Sequence, residues 1–170
     1  MTRHWSSFAQ YNAWANARLY AAVAGLPAAR FHEDGGAFFG SLCGTLNHLL
    51  VADRIWMQRF TGEGDAPARL DAILHEDFGS LSQARAAEDR RICAWIDGLS
   101  ADDLGGVLRY RRITAPDQVE QPLGEALAHF FNHQTHHRGQ AHALVTGFGG
   151  RDAGPVLDLL AFQKEPAGAR

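Results

Sequence analysis

His129, His133, His136 and His137 fall within nine consecutive residues, four of the nine histidines in a chain of 170 residues. His133 and His137 stand four apart, about one helical turn, so on a helix both rings leave the same face and can reach one metal ion. Two imidazoles alone do not define a site, and a third ligand has to come from another element. Other chemistries leave no trace. The sequence has no His-Glu-x-x-His motif, no Glu-x-x-His pair of the di-iron bundles, no phosphate-cradling P-loop, no zinc-finger spacing and no helix-turn-helix signal.

The histidine segment itself reads as a helix. Pro122 suits a first helical turn, and the next proline is Pro155. At roughly 100° per residue, Leu123, Ala126, Phe130, Ala141, Leu144 and Phe148 make one apolar stripe. His133 and His137 lie on its margin, with His129 and Gln140 flanking on the His133 side, whereas His136 and His142 point away. Two adjacent imidazoles on an apolar margin need polar partners, which a shared metal provides to both at once.

Three more amphipathic segments precede it. The first runs from about Trp5 to Leu26, with Phe8, Tyr11, Ala15, Leu19, Ala22 and Leu26 on one side and Gly25 and Pro27 closing it. A second begins near Ser41, a plausible N-cap, and ends near Thr61 and Gly62; its stripe is Leu42, Leu46, Leu49, Asp53, Trp56 and Phe60. The third spans about Leu81 to Leu99, with Leu81, Glu88, Ile92, Trp95 and Leu99 on its stripe. Partial alternation through Val107–Ile113 and Gln118–Gln121, around Pro116-Asp117, predicts a short β-hairpin. Val156 to Gln163 predicts one last short helix. The fold class is therefore all-α: a four-helix bundle with a small β-hairpin between helices three and four, one domain over residues 1–170.

Bundle cores are where facing helices combine side chains into metal sites. His48 is the one histidine of the second helix, to one side of its stripe near Ala52, where it could face a neighbouring helix. Taken alone, a flank histidine is more often structural or exposed than a ligand. His4 is terminal, and His32 and His75 fall in loops. Asp53 and Glu88 are carboxylates on otherwise apolar stripes and need partners; for Asp53 a histidine ring N–H or the Asn12 amide would serve. Asn12 lies on the apolar face of the first helix, with Asn16 at its edge. Arg138 and Trp14 fall off their helices' core faces and fit a dimer surface or a substrate rim.

Composition narrows the class. A formal charge of −3 gives no broad attraction to phosphate backbones, so nucleic-acid binding is disfavoured. The start of the chain lacks a signal-peptide apolar region, and no apolar run approaches membrane-spanning length. Cys43 and Cys93 are far apart with no CxxC, which reads as a reduced cytoplasmic protein with both thiols in core or boundary positions.

Three segments together carry a family resemblance. Tyr11-Asn12-Ala-Trp14-Ala-Asn16-Ala-Arg-Leu19, Leu46-Asn47-His48-Leu49-Leu50-Val-Ala-Asp53-Arg-Ile-Trp56 and Asn132-His133-Gln-Thr-His136-His137-Arg138-Gly139-Gln140 resemble the DinB-like family of damage-inducible metalloproteins, in its order and spacing, over nearly the whole chain. The resemblance implies a four-helix bundle with a three-histidine metal site, frequently as a homodimer. Carried over by position, the ligands are His48, His133 and His137; Asp53, Asn12 and Glu88, polar residues on otherwise apolar stripes, are candidates for supporting them. The implied cofactor is a divalent ion, Zn or Ni first. Three neutral nitrogens leave a coordination position open, which suits catalysis: such an ion can lower the pKa of bound water to about 7, or hold a substrate thiolate. The expected function is a metal-dependent enzyme, either a small-molecule transferase using a low-molecular-weight thiol or a hydrolase. The alternative is a non-catalytic metal-binding stress-response protein, and a substrate-sized cavity beside an open position would favour the enzyme.

Overall fold

A computed structural model describes residues 2–112 and 117–166. Among the described residues the chain forms helices α1 (Thr2–Ala24), α2 (Leu42–Thr61), α3 (Phe78–Asp97), the one-turn α4 (Ala101–Leu104), strands β1 (Val107–Arg111) and β2 (Gln118–Pro122), then α5 (Leu123–Gly149) and α6 (Leu159–Lys164). The mostly helical fold and the small hairpin are those the sequence predicts. Local chemistry sets the boundaries. Ser41 caps α2 by accepting from the Gly44 N–H at 3.0 Å, and Gly62 ends that helix with φ of 74°. Asp77 accepts from the Ser80 N–H at 2.8 Å, so α3 begins at Phe78, earlier than its apolar stripe suggests. Asp158 caps α6 in the same manner.

The strands pair antiparallel, with Val107 opposite Pro122 and Arg111 opposite Gln118, and residues 113–116 of the turn lie outside the described residues. No helix is long and apolar enough to cross a membrane.

Direction in the bundle follows from which apolar cluster each helix enters first. One cluster gathers Leu19, Leu46, Leu50, Leu81 and Leu144; the other gathers Ala9, Trp56, Met57, Ile92, Ile96 and Phe130. Helices α1 and α5 run from the second cluster to the first, whereas α2 and α3 run the opposite way. The four long helices are thus up, down, down and up, and the two parallel neighbours α2 and α3 require the long connection over residues 62–77. Burial of each large side chain in these clusters stabilises the bundle by about 1.5–3 kcal/mol.

Between the two clusters lies a layer of buried polar side chains from all four long helices. Arg85 of α3 donates to Asp53 of α2 at 2.5 Å and pairs with Asp89 at 3.0 Å. Gln134 of α5 donates to the other Asp53 oxygen at 2.8 Å, and Asn16 of α1 donates to Asp89 at 3.0 Å. Arg138 of α5 donates to Asn12 and Asn16. Two cations and two anions balance, which is the condition for burying any of them. Burial works against the Arg85 charge, but Asp89 and Asp53 outweigh it and raise its pKa.

Packing between elements corrects two sequence readings. Arg138 is not on a surface: it continues the α5 stripe from Phe130 through Gln134 and is 2% exposed. Its charge suggests solvent only until the α1 amides are seen opposite. Trp14 is not outward either. Phe162 of α6 folds back against Tyr11 and Trp14 with ring centroids 5.8 and 5.7 Å away, and the Trp14 indole N–H donates to Glu165 at 2.8 Å. The face of α1 that looks free in a four-helix reading is covered by the short C-terminal helix.

Candidate metal centre

His48 projects from the second turn of α2, and His133 and His137 project one turn apart from α5, the antiparallel neighbour packed against α2. The three rings converge. Centroid separations are 5.2 Å for His48–His133 and 4.4 Å for both His48–His137 and His133–His137. One nitrogen from each lies within 4.8 Å of the others, so the three side chains could hold a metal ion.

Their orientation is imposed from behind. Nδ1 of His48 lies 2.8 Å from the Leu70 carbonyl, which can only accept, so Nδ1 carries the proton and Nε2 presents its lone pair inward. Nδ1 of His137 lies 2.8 Å from Oε1 of Gln140, whose amide nitrogen is 3.3 Å from Nε2 of His136; this fixes His137 in the same tautomer. Nε2 of His48 and Nε2 of His133 then face each other at 3.4 Å. Inward lone pairs held by outward N–H donors are the arrangement of metal-ligating histidines. Burial, and then the neighbouring imidazoles, lower His133 to about 3. Burial lowers His48 to about 4, with the Leu70 contact opposing and His137 adding to the shift. Neutral rings near pH 7 are what a divalent ion needs.

Phe39 completes the packing, its ring stacked on His48 with centroids 3.9 Å apart. The approach depends on Gly44: a Cβ there would sit 2.1 Å from the Phe39 carbonyl oxygen. Leu70 and Phe39 carry no sequence signal for this role, since a backbone carbonyl and a stacking ring have no motif. Gln140, three residues after His137, is the one partner that helical spacing could have suggested.

Other expected site residues go elsewhere. Asp53 does not touch an imidazole, because five residues beyond His48 it faces α3 and holds Arg85. Asn12 pairs with Arg138 and Asp89 rather than with Asp53, and Glu88 pairs with Arg91 at 3.0 Å. His129 sits 5.9 Å from His133, ring to ring, but 5.1 Å from Trp56, and stays outside the three-nitrogen cluster. His136 is exposed, and Nε2 of His142 lies 3.0 Å from the Pro155 carbonyl. A second group, His32, Cys43 and Glu76, also brings its donor atoms within 4.8 Å, with His32 and Glu76 exposed.

A cavity of about 390 Å³ opens beside the centre, with His48 and His133 in its wall. Its other walls come from α2 and the hairpin, including Trp56, Arg59 and Tyr110. A larger cavity of about 630 Å³ lies between α1 and α3 over Arg85 and Asp89, away from the imidazoles.

The DinB family profile matches residues 1–165. The chain belongs to the DinB family. Among curated relatives it is 26% identical over 161 residues to Protein DinB of Bacillus subtilis (strain 168), covering 90% of this chain and 91% of that protein. No solved structure matches. In this DinB family member the three-histidine group has a donor set that fits a divalent ion: three imidazole nitrogens, two of them oriented from behind by Leu70 and Gln140.

Proposed function

We propose that this DinB family protein is a metal-dependent enzyme acting on a small molecule, either as a thiol transferase or as a hydrolase. The observation that carries the reading is the position of His48 and His133 in the wall of a cavity of about 390 Å³, within the size range of small-molecule sites. A divalent ion bound by His48, His133 and His137 supplies Lewis acidity, polarising a carbonyl or lowering the pKa of a water or thiol. The chain's own residues do the rest. Leu70 and Gln140 hold two rings in the tautomer that keeps Nε2 available. Phe39 covers the His48 face and keeps water from it. Trp56 and Tyr110 give the substrate an apolar wall. Zinc or nickel is the proposed ion on the strength of family membership, since imidazole donors by themselves accept iron and copper as well. A homodimer and a cytoplasmic location belong to the same proposal. The dimer now rests on family membership, since Trp14 is spent on α6, and light scattering that reports a monomer at micromolar concentration counts against it.

The test is cobalt substitution. Small thiols and azide should perturb the visible spectrum of the cobalt protein, and thiol-conjugation and hydrolysis screens should find turnover that His133→Ala loses. A spectrum that no added ligand changes, together with a fourth protein ligand at the ion, replaces the enzyme with a non-catalytic metal-binding protein.

A further inference from the structure

The cavity beside the histidines has a charge of its own. Arg59 and Arg112 line it with Gln121 and His129, and no Asp or Glu is among the described residues of its wall. Arg59 is half-buried, its guanidinium 4.6 Å from the Trp56 ring centroid and 4.4 Å from that of Tyr110. The two ring centroids are 5.3 Å apart, so both rings lie to one side of the guanidinium and its N–H edges remain to donate. Among the described residues neither Arg59 nor Arg112 pairs with a carboxylate, although other arginines of this chain do, including Arg18, Arg69, Arg85, Arg91 and Arg109. Burial lowers the Arg59 pKa, with Tyr110 opposing and the nearby Arg112 charge adding to the shift. A half-buried guanidinium whose donors meet no carboxylate among the described residues is a ready receptor for an external anion.

We infer that this cavity binds a small organic carboxylate, its acid group on the donor edges of Arg59 and Arg112 and its apolar body along Trp56 and Tyr110 toward His48 and His133. The inference deepens the enzymatic reading and rests on it only for what happens at the histidines. It defines the substrate class as anionic, with the reacting group at the end remote from the carboxylate. The positive charge of the wall repels cationic substrates of the same size.

Metal-free, isotope-labelled full-length protein titrated with benzoate and with benzamide tests this by nuclear magnetic resonance. Removing the metal leaves the arginines as the recognition element and keeps the carboxylate from binding an ion instead. Benzoate should shift the Arg59 Nε–H and the Trp56 indole N–H, and benzamide should bind about tenfold or more weakly, the ratio expected for losing one charge-assisted contact. Arg59→Gln should bring benzoate down to the benzamide level. Arg112→Gln, at an exposed position, should weaken benzoate in the same direction and serves if the Arg59 variant folds poorly. Equal binding of the two probes, shifts confined to another part of the surface, or unchanged benzoate binding in both variants would each overturn the inference. Elemental analysis of the untreated protein separates the two readings. Absence of metal with benzoate preference intact strikes the metal-dependent reading, and metal present without that preference strikes this one.

Discussion

Nδ1 of His48 donates to the Leu70 carbonyl across 2.8 Å, so a residue in the connection between two parallel helices decides which nitrogen of a residue in the second turn of α2 faces inward. Neither residue has this role by itself. The long crossover that the bundle's topology requires is also what presets the centre.

Metal content should depend on three histidines and not on their neighbours. Substituting His48, His133 or His137 by Ala should remove most bound metal from purified protein, whereas His136→Ala and His142→Ala should leave occupancy near normal. Full retention of metal by His48→Ala would refute the three-ligand assignment.

Gly44→Ala should disturb the centre without touching a ligand. The new methyl group would meet the Phe39 carbonyl oxygen at 2.1 Å, so the segment carrying Phe39 must move off α2 and uncover His48. Overpacking of this kind costs about 1–3 kcal/mol. Urea denaturation should report a loss in that range, and competition with a chromophoric chelator should report weaker metal binding.

Acid should destabilise the metal-free protein through its histidine centre. The folded pKa values of His48 and His133, about 4 and about 3, lie below the ordinary histidine value near 6.5. As pH falls below that value the unfolded chain takes up protons that the folded chain refuses. The contribution is fully present above about pH 6.5 and is lost as pH falls toward the folded values. The melting temperature of chelator-treated protein should therefore drop between pH 7.5 and pH 5, and His133→Phe should flatten that dependence. An equally steep drop in the variant would show that other groups govern it.

Asp53→Ala should affect folding rather than metal. It leaves Arg85 buried without its closest anion and Gln134 without its acceptor, and breaking a buried pair costs about 3–5 kcal/mol. The urea midpoint should fall sharply, while metal bound per folded molecule should match the wild type. A loss of metal affinity of about 10- to 100-fold with stability unchanged would instead make Asp53 a support for the ligands.

Periodicity and spacing in the sequence determined the helices, the hairpin and the inward histidine pair, because the period of about 3.6 residues and the turn and cap residues are local properties. They also marked Asp53, Glu88 and Asn12 as polar residues on apolar faces, and all three are buried. Which partners those residues take was decided only by tertiary structure. Asp53 and His48 share a helix but point different ways, so one joins the polar layer, holding Arg85 of α3 and Gln134 of α5, and the other meets His133 and His137 of α5. Arg138 and Trp14 show the converse: each looks superfluous to its own helix until Asn12 and Asn16, or Phe162, come from far along the chain to cover it. The Leu70 carbonyl and the Phe39 ring that orient His48 lie in connections, where no periodicity operates. A helix repeats its own geometry and can be read from its own residues; a contact between elements depends on two separate surfaces meeting, and only the folded chain specifies that.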